Sequence, residues 1–414
     1  SAFLSISSVV WYMGEIASPY AVDLLASAIV GWLCYRALNS TSRNAAWVSG
    51  IAIGLAGALR LQTLLFLFPL FLYSLFNGWK STGERRASRA IAEAICLALG
   101  VFAVFFVPAV LLSGGPAGFI RSMQSVLPIF RDTNTLVRTT RLARFTANVT
   151  TMLRYTYRTI GELVLPFLLV GYLAEENRLR FWRNPKLMFL LLWLLPAWFV
   201  FLLIWPGNLG TMLVSMPPLF LLASAGLSWV MSRGRLGFAL GGAALLVILV
   251  WSGIVFAWLP SAPFGESYRH FENYASIQDS VNYYRTKLAL VGQLPPQDTV
   301  VITDDFRALQ YYLPNYHVLT FPRFQADNSQ VVKSVVSIQN GSAQSWKGVD
   351  GVSLIPQGTR YVVLFDAGVR LDVTEPLTVE DRSDDGYGIG VISIPAGQQV
   401  FWTSQGLSLK PIVQ

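Results

Sequence analysis

The sequence predicts a polytopic α-helical membrane protein, with about eight membrane segments after a partial first one and a C-terminal extracytoplasmic α/β domain. Three observations carry that reading. Of 414 residues, 53% are hydrophobic and only 13% charged, against about 25% charged residues in soluble domains. Long apolar runs recur between short connectors rich in Arg and Lys. After Pro260 those runs stop, and short buried or alternating segments take over. The charge divides at the same place: residues 1–260 hold 20 Lys and Arg against 8 acids, whereas residues 261–414 hold 11 against 15. The net +8 is therefore +12 in the apolar part and −4 in the tail.

Ser1 to Val10 is too short to cross the ~30 Å hydrocarbon core, so it reads as the end of a truncated helix with further spans upstream. Apolar segments follow at Pro19 to Leu38, Ala46 to Leu59, Leu61 to Phe76, Ile91 to Leu112, Leu163 to Ala174, Leu187 to Trp205, Leu209 to Met231 and Leu236 to Leu259. Several are shorter than the ~20 residues of a straight span, as expected of broken or re-entrant elements beside a cavity.

The connectors set the orientation. Arg36 and Arg43 flank one; Lys80, Arg85, Arg86 and Arg89 crowd the next; Arg178, Arg180, Arg183 and Lys186 fill another; Arg233 and Arg235 mark the last. The positive-inside rule makes all four cytoplasmic. Parity then requires Ala46 to Phe76 to be a helical hairpin with Arg60 and Gln62 at its outer tip. Tyr12 to Tyr20, Ser113 to Gly161, Pro206 to Leu209 and everything after Pro260 fall outside.

In the tail, Ser267 to Leu290 reads as an amphipathic, Tyr-rich helix. Thr299 to Thr303, Arg360 to Phe365 and Gly390 to Ile394 read as short buried strands between turn signals. At about 150 residues, the domain 261–414 is long enough for its own core.

Cys34 and Cys96 both lie in apolar runs, which supports neither a disulfide framework nor a thiolate metal site. The two histidines, His270 and His317, are both in the tail, so a metal in the membrane region would rest on carboxylates. The sequence contains no P-loop, dinucleotide-binding glycine fingerprint, His-Glu-x-x-His or nucleophile elbow. That argues against a nucleotide cofactor, ATP-driven transport and ordinary hydrolase chemistry, and nothing points to nucleic acid.

The outer basic loop 113–161 contradicts the charge rule. It carries Arg121, Arg131, Arg138, Arg141, Arg144, Arg154 and Arg158, with Asp132 as its one acid. Spacings of three and four residues line Arg138, Arg141 and Arg144 along one helical face and Arg154 with Arg158 along another, interleaved with Leu142, Phe145, Met152, Leu153 and Tyr155. Such an interfacial helix suits phosphate, because guanidinium binds phosphate oxygens bidentately and stays charged in a low dielectric. Anionic lipid headgroups fit the same pattern, and a specific site needs only two or three of the seven.

Arg60 interrupts a long apolar stretch, where a charge is costly enough to suggest function, although an arginine at a hairpin tip also snorkels. Pro19 is expected to open the next helix and to place Asp23 in its first turn, favoured by the helix dipole, with Glu15 just outside. The pair Glu15 and Asp23 is either a capping and a solvated charge or a site for a divalent metal or a sugar hydroxyl. Gly50, Gly54 and Gly57 read as a close-packing helix face. Asn208 lies in the turn Pro206 to Gly210 and is a candidate substrate donor, as is Gln62. Asp304 and Asp305 most simply cap the helix that follows.

The stretches YMGEIASPYAVDLLASAIVGWLCYRAL, SGIAIGLAGALRLQTLLFLFPLFLY, WPGNLGTMLVSMPPLFLLASAGL and TVVITDDFRALQYYLPNYHV resemble successive parts of the bacterial GT-C glycosyltransferases. They are similar to protein mannosyltransferases of glycosyltransferase family 39 and to aminoarabinose lipid A transferases. The resemblance implies an enzyme that takes a sugar from a polyprenyl phosphate carrier and gives it to an outer-face glycan, lipid or protein. It also implies a catalytic Asp, acting as general base or metal ligand, in a first outer loop that would lie upstream of Ser1. Glu15 and Asp23 fall near the second acidic region of such enzymes, and Arg60 matches the Arg that closes their glycine-rich helix. Relatives often follow that Arg with Pro, where this chain has Leu61. The WWDYG motif of oligosaccharyltransferases is absent, and no repeated halves of the kind secondary transporters show are visible.

Overall fold

The structure, a computed structural model, describes residues 2–15, 19–78, 84–120, 141–175, 184–203, 209–257, 274–303, 306–320, 334–339, 342–347, 355–356, 358–366, 378–403 and 406–411. It divides into two compact units, Ser1–Ile277 and Gln278–Gln414. The boundary thus falls inside a helix, later in the chain than the expected break after Pro260.

The first unit is helical. Where one helix end was expected, two short helices stand, α1 (Ala2–Ser5) and α2 (Ser8–Glu15); Ser7 between them donates its hydroxyl to Thr159 O at 2.8 Å. Then come α3 (Pro19–Leu38), α4 (Arg43–Leu59), α5 (Leu61–Gly78), α6 (Glu84–Leu112), α7 (Arg141–Ile160), α8 (Leu165–Ala174), α9 (Pro185–Leu203), α10 (Leu209–Met212), α11 (Pro217–Met231) and α12 (Gly234–Ala257). Five of these, α3, α5, α6, α9 and α12, are long and apolar enough to cross a membrane, and two bent pairs raise the number to as many as seven. This is a multi-pass membrane protein.

The bent pairs correct the expected segments. Leu209–Met231 is not straight but broken: a 3-10 turn at Leu213–Ser215 separates α10 from α11, with a bend of 60°, where Pro217 and Pro218 remove two backbone donors. The expected loop 113–161 ends in the 20-residue helix α7, which turns 98° into α8 at Gly161, whose φ of 79° suits glycine alone. Pro69, Pro108 and Pro196 lie inside α5, α6 and α9. Membrane helices tolerate this because neighbouring helices and hydroxyl side chains satisfy the freed carbonyls.

Two clusters fill the interior. One joins α3, α4, α5, α6 and α9 through Val30, Ile53, Leu67, Phe71, Ala94 and Trp193. The other joins α1, α7, α9, α10 and α11 through Phe3, Met152, Phe201, Met212 and Phe220. Close approach of α4 to α6 depends on its glycine face, as expected: a Cβ on Gly50 would strike the Ala94 carbonyl oxygen, and one on Gly54 the Ala98 carbonyl oxygen. A buried polar chain links three segments. Trp193 Nε1 donates to Ser27 Oγ at 2.8 Å, and Ser27 Oγ donates to Val214 O at 2.6 Å, while Gly31 leaves room for the Trp193 ring.

Ala46 to Phe76 is two helices, α4 and α5, that meet at Arg60. The 17 residues of α4 span about 25 Å, with Arg43 at one end and Arg60 at the other. At the Arg43 end, the connector charges meet: Arg43 pairs with Glu93 of α6, which also accepts from Arg89 Nε at 3.1 Å and Trp47 Nε1 at 3.0 Å.

The second unit is α/β. Helix α13 (Tyr274–Val291) precedes β1 (Thr299–Thr303), α14 (Phe306–Tyr312), β2 (His317–Thr320), β3 (Ser334–Gln339), β4 (Ser342–Lys347), β5 (Tyr361–Leu364), β6 (Val379–Asp384) and β7 (Tyr387–Ser393). The seven strands form one sheet, ordered β4-β3-β2-β1-β5-β7-β6, and β8 (Gln398–Thr403) pairs with β9 (Gly406–Pro411). Central β1 runs parallel to β2 and β5; the other neighbours are antiparallel. Val300, Val301 and Ile302 are buried, as suits a central strand covered on both faces. Residues 258–273 and Asp304 and Asp305 lie outside the described residues, so the start of the expected Ser267 to Leu290 helix and the capping role do too.

Candidate functional site

The end of the helical unit opposite Arg43 gathers the charges that the sequence singled out. Arg60 is the one residue between α4 and α5. Its backbone is extended, its N–H donates to Ala56 O at 3.0 Å, and its carbonyl accepts from Thr63 N at 2.9 Å, so it caps one helix and starts the other. This conformation throws its side chain across to the beginning of α3. There Arg60 Nη1 donates to Asp23 Oδ2, Thr63 Oγ1 donates to Asp23 Oδ1 at 3.0 Å, and the guanidinium carbon lies 5.1 Å from the Tyr20 ring centroid.

The burial is asymmetric. The Asp23 side chain is 5% exposed and that of Arg60 27%. A carboxylate so deep is tolerable only with a cation and hydrogen-bond donors beside it, and here it has both. Asp23 thus sits past the first turn of α3, and Arg60 at the α4–α5 junction and Thr63 on α5, rather than the helix dipole, hold it, which corrects the capping role. An arginine beside an engaged carboxylate also opposes a divalent cation. Asp23 does not fit a metal ligand, and among the described residues no group of three or more His, Cys, Asp or Glu stands ready for one. Glu15 ends α2, with its side chain outside the described residues.

Helix α7 docks at the same end. Its Asn148, 4% exposed, donates to Leu202 O at 2.9 Å on the last turn of α9; the neighbouring Phe201 ring meets Phe66 of α5 edge-on at 5.4 Å. The arginines of α7 do not share one environment. Arg154 is exposed and Arg158 only 7% exposed: four residues apart on one helix they share a side, as expected, but packing of α7 on α9, α10 and α2 buries Arg158. Arg141 and Arg144 lie in the first turn of α7 with side chains outside the described residues; Arg138 and Asn208 lie outside them altogether. Gln62 is exposed at the hairpin tip.

Tyr20 and Thr63 complete the cluster and were not singled out by sequence. Tyr20 stands three residues before Asp23, a spacing that puts both on one face of α3, and Thr63 lies in the first turn of α5, just after Arg60. Beyond the cluster, Trp251 Nε1 of α12 donates to Glu162 Oε1 at the α7–α8 elbow, 2.5 Å away. In comparisons with known proteins, no family model, no curated protein and no solved structure matches the chain.

Proposed function

We propose that the chain is a GT-C-type glycosyltransferase that moves a sugar from a polyprenyl-phosphate donor to an extracytoplasmic acceptor, a glycan, lipid or protein hydroxyl. The observation that carries this reading is Arg60. A guanidinium sits at one end of a membrane bundle, aimed by Asp23 and backed by Tyr20, at the end where the arginine-bearing α7 also docks. By the positive-inside rule, the opposite end with Arg36, Arg43 and Arg89 is cytoplasmic, which puts Arg60 and the C-terminal unit outside.

A polyprenyl-phosphate sugar holds its anionic headgroup at the interface because its tail is confined to lipid. Arg60 spends Nη1 on Asp23 and keeps further N–H donors for phosphate oxygens. As the sugar–phosphate bond breaks, negative charge grows on the departing phosphate, and a preorganised cation in a low dielectric favours that charge over the ground state. Asp23 is then a positioning residue rather than the general base that deprotonates the acceptor hydroxyl. Arg138, Arg141, Arg144 and Arg154 supply the outer basic surface for the donor phosphate.

The test incubates the full-length protein in detergent with radiolabelled polyprenyl-phosphate sugars and a membrane extract, with and without EDTA. Sugar transfer that is lost in Arg60→Ala and weakened in the triple Arg138, Arg141, Arg144→Ala variant is expected. Failure of every donor with folded protein would return the reading to a non-catalytic membrane glycan-binding or transport protein.

A further inference from the structure

Several helices end beside one another at the Arg43 end of the helical unit. A Cβ on Gly78, the last residue of α5, would strike the Ala37 carbonyl oxygen near the end of α3. Phe189, near the start of α9, meets Tyr35 of α3 edge-on at 5.9 Å, and Lys186 at that start pairs with Glu175, just past α8, at 3.9 Å. A Cβ on Gly171 of α8 or Gly226 of α11 would strike the other helix's backbone. Helix α12 turns back along α11, with Gly241 against Met231 and Leu227, and its Trp251 bonds Glu162 ahead of α8. Helices α8 and α11 therefore start together and end together. Arg36, in the last turn of α3, and Arg233, just past α11, thus share this end with Arg43, Arg89 and Lys186.

Three of these cations are engaged by carboxylates. Glu93 takes Arg43 and Arg89, and Glu175 takes Lys186. Arg36 and Arg233 turn elsewhere. Among the described residues neither meets a carboxylate, and each lies over the indole one turn earlier: Arg36 Cζ is 5.2 Å from the Trp32 ring centroid, and Arg233 Cζ is 3.9 Å from that of Trp229. The sequence repeats the spacing, WLCYR on α3 and WVMSR on α11. Trp32 is 56% exposed and Trp229 41%, and both arginines are exposed as well. A helix dipole accounts for a cation at each C-terminus, and a lysine would answer it equally. It does not account for an exposed indole under each guanidinium.

We infer that each Trp–Arg pair binds the headgroup phosphate of an anionic phospholipid in the leaflet at this end. Tryptophan on a membrane helix sits at headgroup level, so the indole sets the depth at which the guanidinium stands. A ring under one face of a guanidinium leaves its N–H edge for another partner. That edge matches two oxygens of one phosphate, and cations at the membrane surface favour anionic lipids over zwitterionic ones. The two pairs are far from Arg60 along α3 and α4, and they stand or fall apart from the transfer reading.

The experiment titrates the full chain in detergent with phosphatidylglycerol, and separately with phosphatidylcholine, and counts bound lipids by native mass spectrometry. Two phosphatidylglycerol molecules are expected to bind ahead of the rest, each with an advantage of about fivefold over phosphatidylcholine. Arg36→Gln and Arg233→Gln should each abolish one of the two, at an unchanged melting temperature because both side chains are exposed. Arg89→Gln and Lys186→Gln, whose cations already have carboxylates, should leave both in place. The double variant Arg36→Lys, Arg233→Lys keeps the charge but loses the fork of donors, and should bind more weakly than the parent. Equal binding of the two lipids, both sites retained in the double glutamine variant, or full affinity in the lysine variant overturns the inference. Displacement of phosphatidylglycerol by inorganic phosphate would overturn it too, because the ligand would then be a soluble anion.

Discussion

Asp23 and Arg60 form an ion pair across 37 positions of sequence, and the two partners are not equally dispensable. Arg60 stands at a helical hairpin tip with a route to the surface, whereas Asp23 is almost sealed. Removing the arginine strands a buried anion; removing the aspartate frees a cation that can reach water.

Arg60→Ala should therefore destabilise the protein by about 2–4 kcal/mol, and Asp23→Ala by less. Adding Asp23→Asn to Arg60→Ala should recover part of the loss. Thermal unfolding of the three variants in detergent checks the ranking, and equal losses for the two single variants would show that the pair is not held as described.

The α4–α6 contact predicts a second asymmetry. Gly50→Val must push apart two helix backbones, because its side chain meets the Ala94 carbonyl, and should cost roughly 1–3 kcal/mol by overpacking. Gly253→Ala in α12, with open space around its Cβ, should leave the melting temperature within a degree or so of the parent or raise it.

The arginines of α7 should separate by readout. Arg154→Ala, at an exposed position, should weaken donor binding severalfold with no change in melting temperature. Arg158→Ala, at a buried one, should lower the melting temperature. A variant pair that shifts both readouts alike would place the two arginines in one environment after all.

In the α/β unit, burial in β2 holds the His317 pKa below its ordinary 6.5. Between that lowered value and 6.5, the unfolded chain binds a proton that the folded chain refuses. The contribution to stability is complete above 6.5 and falls as the pH drops through this window. Lowering the pH from about 7.5 to about 5.5 should reduce the melting temperature of this unit more in the parent than in His317→Gln.

Much of this architecture is legible in the chain. Pro19 and Leu38 bound α3 as the apolar run does, the hairpin follows from charge parity around Arg60, and TVVIT is the central strand because it is a short β-branched run between turn signals. What sequence does not disclose is tertiary. Nothing local says that Asp23 turns to Thr63 on α5, or that Arg158 rather than Arg154 faces inward. Strand β6, VEDRSD, is invisible for a different reason: an exposed sheet-edge strand carries charge that blocks further pairing, so it lacks the alternation by which strands are found.

The hydrogen-bond chain from Trp193 through Ser27 to Val214 has a fixed direction. An indole nitrogen only donates and a carbonyl only accepts, so the one hydroxyl proton of Ser27 is committed towards Val214, and the chain has no second orientation to flip into. Protons cannot hop along a wire that cannot reverse. The three residues therefore act as a fixed tie between α9, α3 and the turn before α11, and not as a proton relay.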